Sequence, residues 1–121
     1  MTSKVLIIDD DNRNIFALKA VLKAKGYQCL SAGGAEEGFS LLSEDRNIAV
    51  VLMDMMMPGM DGYQAIAKMS ESPELKDIPV IAVTAQAMLG DKERCIRAGA
   101  VGYVSKPINV DELTRLLTEY I

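Results

Sequence analysis

Polar side chains follow four of the apolar runs in this sequence of 121 residues, close to the point where each run ends. Asp9 and Asp10 follow the first run, Asp54 the third, Thr84 the fourth and Lys106 the fifth. If they meet in one crevice, the carboxylates raise one another's pKa values, and a hard divalent cation with oxygen ligands relieves that repulsion. Mg²⁺ suits a site with few carboxylates and several waters. The pattern therefore predicts a magnesium site that also contains a lysine and a hydroxyl.

Phosphoryl transfer is the reaction that such a site favours, because it depends mostly on positioning and on neutralising charge. A carboxylate can act as the nucleophile and become an aspartyl-phosphate. Asp54 is the best candidate, since it is a single acid flanked by apolar residues that limit the access of water. Lys106 would add a fixed positive charge, and Thr84 a hydroxyl that can donate to a tetrahedral anion. The chain contains no histidine, which excludes a histidine general base and a phospho-histidine of its own.

Five apolar runs and the segments between them indicate how these residues are positioned. The runs are residues 5–8, 29–30, 49–53, 80–83 and 101–104. Four of them are nearly continuous, which is typical of strands covered by helices on both faces. Strict alternation of strand and helix predicts an α/β fold, a doubly wound five-stranded parallel sheet with five helices, in one domain over residues 1–121. Ligands of such sheets bind beyond the carboxyl ends of the strands, where the polar residues lie.

The predicted helices differ in how clearly the sequence marks them. The last is the clearest, because Asn109 and Glu112 resemble a capping box ahead of an apolar stripe. The fourth is the weakest, since its stripe consists only of Met88, Cys95 and Ile96. All five segments nevertheless have the spacing that buries one helical face against a sheet.

Composition narrows the classes of partner. Thirteen basic and seventeen acidic residues give a formal net charge of −4, with no basic block, which disfavours direct binding to nucleic acid. Cys29 and Cys95 lie far apart, as expected of reduced thiols packed as small hydrophobes. No apolar run approaches the roughly 20 residues that span a bilayer, and the start lacks a signal-peptide cleavage site. We therefore expect a cytoplasmic protein with no membrane partner.

Four motifs occur together in the order and spacing of one family: "VLIIDDD", "VLMDMMMPGMDG", "VTA" and "YVSKP". By these motifs nearly the whole chain resembles the receiver domain of response regulators in two-component phosphorelay signalling. The stretches "RNIFALKAVL" and "TAQAMLGDKERCIRAGA" further resemble the receivers of hybrid kinases and stand-alone relay receivers. The resemblance implies the flavodoxin-like receiver fold, with strand order 2-1-3-4-5. It also implies a phosphorylation-dependent switch or relay rather than an enzyme.

The resemblance further implies a role for each site residue. Asp54 would accept a phosphoryl group from a phospho-histidine on a sensor histidine kinase or a histidine phosphotransfer protein. Asp10 and Asp54 would bind Mg²⁺ together with the backbone carbonyl of Met56, while Asp9 would hold a metal-bound water. Lys106 would contact the phosphoryl oxygens.

Signal output is implied by a second group of residues. Thr84 would donate a hydrogen bond to a phosphoryl oxygen, and Tyr103 matches the aromatic residue that turns inward with it. The face formed by helix four, strand five and helix five would then contact a downstream protein target. Met56 and Gln86 occupy the positions that flank the path of the water that attacks the phosphorylated aspartate in the family.

Two functions of other classes remain open from the residues alone. Asp9 and Asp11 also resemble the nucleophile loop of haloacid-dehalogenase-like phosphatases, although Arg13 stands where those enzymes have Thr or Val. A flavodoxin-like nucleotide binder would share the fold. Its first loop should be rich in glycine and hydroxyls to cradle phosphate, and the acids found here would repel that phosphate.

Overall fold

Strands and helices alternate strictly in the computed structural model, which describes residues 3–85 and 89–121. The strands are β1 (Lys4–Ile8), β2 (Gln28–Ala32), β3 (Ile48–Asp54), β4 (Val80–Thr84) and β5 (Gly102–Ser105). The helices are α1 (Asn12–Ala24), α2 (Ala35–Glu44), α3 (Gly62–Glu71), α4 (Asp91–Ala98) and α5 (Val110–Leu117). Each predicted element is present, and Met88, which the sequence assigns to the fourth helix, lies outside the described residues.

The strands form one parallel sheet in the order β2-β1-β3-β4-β5, which confirms the predicted doubly wound fold. Asp54 ends β3 and pairs with Val83, and Thr84 ends β4 and pairs with Ser105. On the other side of β3, β1 remains paired up to Ile8. The carboxyl ends of β1, β3, β4 and β5 therefore meet at the same edge of the sheet.

Buried side chains cover both faces of the sheet in two clusters. One cluster joins strand residues such as Met53 and Ala82 to the buried sides of α2, α3 and α4. The other joins Leu52 and Val104 to α1 and α5. Helices on both faces explain why the apolar runs are continuous rather than alternating. None of the helices in residues 3–85 and 89–121 has the length and apolar character needed to cross a bilayer.

Helix α3 begins in close contact with the residue that follows Asp54. The side chain of Asp61 accepts from the Gln64 backbone N–H, and the Gln64 side chain accepts from the Asp61 backbone N–H, each at 2.9 Å. The N–H of Gly62 donates to the Met55 carbonyl at 3.2 Å, and a β-carbon at Gly62 would lie 2.7 Å from the Met55 α-carbon. Glycine is required for so close an approach, so the Asp-Gly pair seats the start of α3 against the end of β3.

Candidate functional site

Three carboxylates converge at the carboxyl edge of the sheet. Oxygen atoms of Asp9, Asp10 and Asp54 all lie within 4.8 Å of one another. Asp9 and Asp54 are only 2% and 4% exposed, whereas Asp10 faces solvent. The acids meet because β1 and β3 are neighbours in the sheet and both strands end at this edge.

Lys106 brings a cation to two of these acids. Its Nζ lies 3.3 Å from Oδ2 of Asp9 and 3.7 Å from Oδ2 of Asp54. The lysine follows β5, and its backbone N–H donates to the carbonyl of Thr84 at 2.8 Å. This bond holds the chain after β5 against the end of β4. From this position the side chain of Lys106 reaches Asp9 and Asp54. One lysine beside three carboxylates leaves an excess of negative charge.

Hydrogen bonds from the start of α1 hold Asp9 in place. Its Oδ1 accepts from the backbone N–H of Asp11 at 2.9 Å, and its Oδ2 accepts from Nδ2 of Asn14. Asp11 itself caps α1, because its side chain accepts from the backbone N–H of Arg13 at 3.0 Å. Asn14 is a site residue that the sequence did not reveal, although a polar residue in the first turn of α1, next to the acidic loop, was a usable signal. Asp11 therefore serves as the N-cap of α1.

Burial raises the pKa of the Asp54 carboxyl from its ordinary 3.8 to about 6. The hydrogen bond from the backbone N–H of Met56, 3.1 Å from Oδ1, lowers that pKa, as does the charge of Lys106, whereas the charge of Asp9 raises it. A buried carboxylate that is costly to ionise gains from a nearby cation. The oxygen donors of the three acids suit Mg²⁺, a hard cation that binds few carboxylates and keeps several waters. The donor set therefore fits the predicted metal.

Met56, two residues after Asp54, has an exposed side chain. It is 50% exposed, while the neighbouring Met55 and Met57 are buried in the core. Its backbone N–H donates to Oδ1 of Asp54, so the residue is adjacent to the phosphorylation site predicted by the sequence. Gln86, the other residue predicted to flank the path of water, lies outside the described residues.

Thr84 and Tyr103 project from the same face of the sheet. Thr84 is 1% exposed, and Tyr103 pairs with Ala82, which lies two positions before Thr84 on β4. Side chains alternate along a strand, so both residues face the layer that contains α3 and α4. The hydroxyl of the partly buried Tyr103 donates to Oδ2 of Asp91 at 2.9 Å. Burial, with the hydrogen bond and charge of Asp91, raises the pKa of Tyr103 to about 12.

Comparison with known proteins identifies one family. Its sequence model, described as the response regulator receiver domain, matches residues 5–118. A polar-differentiation response regulator, DivK, from Brucella abortus (strain 2308) is 34% identical over 121 residues, which are 100% of this chain and 98% of DivK.

Solved structures agree with this match. The receiver domain of a sensor histidine kinase from Pseudomonas aeruginosa PAO1, described with a magnesium ion coordinated in its active site cleft, has a TM-score of 0.87 and 29% identity, covering 99% of this chain and 98% of that one. A response regulator receiver protein from Pseudomonas putida has a TM-score of 0.90 and 25% identity, covering 98% of each chain. Both share the parallel five-stranded fold described above.

Proposed function

Since this chain belongs to the response regulator receiver domain family, we propose that Asp54 is its site of phosphorylation. The family match agrees with the resemblance drawn from the motifs, and the protein is a phosphorylation-dependent signalling switch. The comparisons give no support to the phosphatase alternative. The observation that carries the proposal for Asp54 is the meeting of this buried carboxylate with Lys106, 3.7 Å away, and with the carboxylates of Asp9 and Asp10.

The proposed reaction is an in-line transfer from a partner's phospho-histidine. An oxygen of Asp54 attacks phosphorus, so that an O–P bond forms while the N–P bond breaks and the imidazole remains on the partner. The ammonium group of Lys106 neutralises charge on the phosphoryl oxygens, and the hydroxyl of Thr84 donates to one of them. The buried setting of Asp54 limits the water that competes as a nucleophile.

Receiver domains bind Mg²⁺ at their acidic site, and the residues present here fit that ion. The proposed ligands are Asp10, Asp54 and the backbone carbonyl of Met56, with Asp9 holding a metal-bound water. When bound, the ion reduces the repulsion between the carboxylate nucleophile and the phosphoryl oxygens.

Membership of the family implies interaction with histidine kinases or histidine phosphotransfer proteins. We assign the downstream protein contact to the face of α4, β5 and α5, because Tyr103 on β5 lies on the same side of the sheet as Thr84 and touches the start of α4. A new phosphoryl group adds charge and acceptor oxygens that draw Thr84 and Lys106 toward it. Tyr103 then turns toward the space beside Thr84 and reshapes that face.

We also propose the domain organisation and the cellular location of the protein. Residues 1–121 act as one receiver domain in the cytoplasm, without direct contact with nucleic acid or membrane. The net charge of −4 supports the first of these exclusions, because an acidic surface releases no counterions from phosphates. The protein signals by changing its surface, and hydrolysis of the aspartyl-phosphate, which releases inorganic phosphate, resets the switch.

Removal of Mg²⁺ tests the proposed function directly. Purified protein incubated with acetyl phosphate in Mg²⁺ should gain one phosphoryl group, which mass spectrometry of peptides places on Asp54. The same incubation with a chelator should give no phosphorylation, because the uncompensated carboxylates repel the donor. Steady hydrolysis of p-nitrophenyl phosphate, without a stable phosphorylated protein, would instead indicate a phosphatase.

A Met56→Asn substitution should shorten the lifetime of the phosphorylated protein. The half-exposed thioether of Met56 has no strong donor or acceptor, so it cannot orient a water beside Asp54. An amide in its place can hold the attacking water in line, so we expect loss of phosphate about 10-fold faster, equivalent to about 1.4 kcal/mol in the barrier. The measurement is decay of phosphorylated protein in Mg²⁺ after the donor is removed.

Met60→Asn is the matched control, since Met60 lies in the same loop but packs partly against the core. It should leave the decay rate unchanged. An equal or slower decay in Met56→Asn would contradict the argument about access of water, without affecting the assignment of Asp54.

A further inference from the structure

A buried carboxylate outside the phosphorylation site joins three elements of the fold. Asp91, the first residue of α4, is 8% exposed. Its Oδ1 accepts from the hydroxyl of Tyr63 on α3 at 3.3 Å, and its Oδ2 accepts from the hydroxyl of Tyr103 on β5 at 2.9 Å. Each oxygen of one carboxylate is thus used by a different tyrosine. An acid at the start of a helix also interacts favourably with the helix dipole, but that interaction does not require two tyrosines.

Other contacts fix the α3 side of this bridge. The guanidinium of Arg94 lies over the ring of Tyr63, 4.1 Å from its centroid. The Tyr63 hydroxyl is also 3.5 Å from the sulfur of the buried Cys95. Two residues of α4 besides Asp91 therefore contact Tyr63. These contacts keep the Tyr63 hydroxyl close to the Asp91 carboxylate, which also binds Tyr103.

The bridge is connected to the phosphorylation site through the start of α3. Tyr63 directly follows Gly62, whose backbone is pressed against Met55, the residue after Asp54. The N–H of Met55 also donates to the carbonyl of Val83 at 2.9 Å, which ties it to β4. A displacement of the chain after Asp54 must therefore move the first turn of α3, and with it Tyr63. This route to Tyr103 runs through α3 and does not pass through Thr84.

We infer that Asp91 is a positioning residue of the switch. Its carboxylate holds the hydroxyl of Tyr103, and its hydrogen bond to Tyr63 couples the position of Tyr103 to α3. The inference rests on the proposed function of Asp54 and Tyr103. The acceptor is fixed on α4, so Tyr103 can turn toward Thr84 only after its hydroxyl leaves Asp91. Asp91 thus opposes the switched arrangement, and the bond at 2.9 Å must be lost when a phosphoryl group draws Thr84 inward.

Binding of beryllofluoride, a phosphoryl mimic, tests this role in the full chain with Mg²⁺. Asp91→Ala removes the acceptor and should bind the mimic about 5-fold more tightly, because less is lost when Tyr103 turns. Tyr63→Phe removes only one hydroxyl and keeps the ring over which Arg94 lies. It should change the affinity by a smaller factor than Asp91→Ala does. The affinity is measured by following backbone amide signals in an NMR titration.

A double-mutant cycle separates coupling from simple loss of stability. Tyr63→Phe should alter the affinity in the wild-type background and have a much smaller effect in Asp91→Ala, where the hydroxyl keeps only its contact with Cys95. If Asp91 serves only to stabilise α4, Tyr63→Phe has the same effect in both backgrounds. Tyr120→Phe, on the opposite face of the sheet, is the matched control and should leave the affinity unchanged. If Asp91→Ala does not fold, Tyr63→Phe with Asp91→Asn completes the cycle.

Titration of tyrosine absorbance gives a second readout. Asp91→Asn removes the negative charge that faces Tyr103 and should lower the pKa of its hydroxyl from about 12 toward the ordinary range. Equal affinity for the mimic in all variants overturns the role of Asp91 alone, and so does weaker binding by Asp91→Ala. Absence of binding by the wild-type protein overturns the proposed function as well, so the two failures are distinguishable.

Discussion

Asp54→Asn is expected to take up no measurable phosphoryl group from acetyl phosphate in Mg²⁺, a loss on the order of 10³-fold or more. The amide has nearly the same shape as the carboxylate, and its oxygen can still accept from the Met56 backbone N–H that now binds Asp54 at 3.1 Å. It lacks the nucleophilic oxygen, however, and contributes no negative charge to a metal. The measurement is the phosphorylated fraction of intact protein by mass spectrometry, with circular dichroism to show that the variant is folded.

Asp77→Asn is the matched control, because Asp77 is an exposed acid and lies outside the acidic cluster. It removes the same charge and should be phosphorylated as the wild-type protein is. Phosphorylation of Asp54→Asn to the wild-type yield would show that another residue is the acceptor. In that case peptide mapping should be directed first at Asp9 and Asp10, the nearest carboxylates.

The meeting of the site residues could be predicted from the sequence because parallel strands leave little freedom. Once the apolar runs are assigned to neighbouring parallel strands, their carboxyl ends must share an edge. Asp54 and Thr84 are the last residues of β3 and β4, and Lys106 follows β5 closely. The fold class therefore brings these residues together although they are far apart in the sequence.

The second strand was harder to locate, and the reason is its place at the edge of the sheet. Its apolar run comprised only residues 29–30, whereas β2 extends over Gln28–Ala32. β2 pairs only with β1 and is largely half-buried, so its residues are under less demand to be apolar. Patterns of hydrophobicity record burial, and an edge strand has less of it.

The bridge at Asp91 could not be predicted, because it depends on how α3 and α4 pack together. Tyr63 and Asp91 are separated by 28 positions and belong to different helices. In the sequence Asp91 is an ordinary acid at the start of a helix, and Tyr63 an ordinary aromatic residue after a turn. The role of Asn14 could not be predicted for a related reason, since its hydrogen bond to Asp9 depends on the angle at which α1 leaves the loop.

Asp54→Asn should also make the protein more stable above pH 6 when divalent cations are removed. Because the pKa of Asp54 is about 6 in the folded protein and 3.8 ordinarily, the folded state binds the proton more tightly than the unfolded chain. The stability that this provides is fully present below pH 3.8 and is lost as the pH rises through about 6. At 1.36 kcal/mol per pKa unit, ionisation of Asp54 costs the folded wild-type protein up to about 3 kcal/mol.

The expected result is therefore a difference that depends on pH. In chelator at pH 7.5, urea unfolding should give Asp54→Asn a free energy of unfolding higher by up to about 3 kcal/mol. The difference should shrink as the pH falls through about 6, where the wild-type carboxyl becomes protonated. The pKa of Asp45 is lowered by its hydrogen bond from Lys4, but this group is present in both proteins and cancels in the comparison.

Addition of Mg²⁺ distinguishes this explanation from a general effect of the substitution. A cation that binds the folded state stabilises it by mass action, and the wild-type protein has three carboxylates within 4.8 Å to hold one, whereas the variant keeps two. At neutral pH, Mg²⁺ should therefore raise the unfolding free energy of the wild-type protein more than that of Asp54→Asn, and so reduce the gap between them. A gap that is independent of both pH and Mg²⁺ would mean that the substitution improves packing around β3, and that the buried charge of Asp54 is not what weakens the fold.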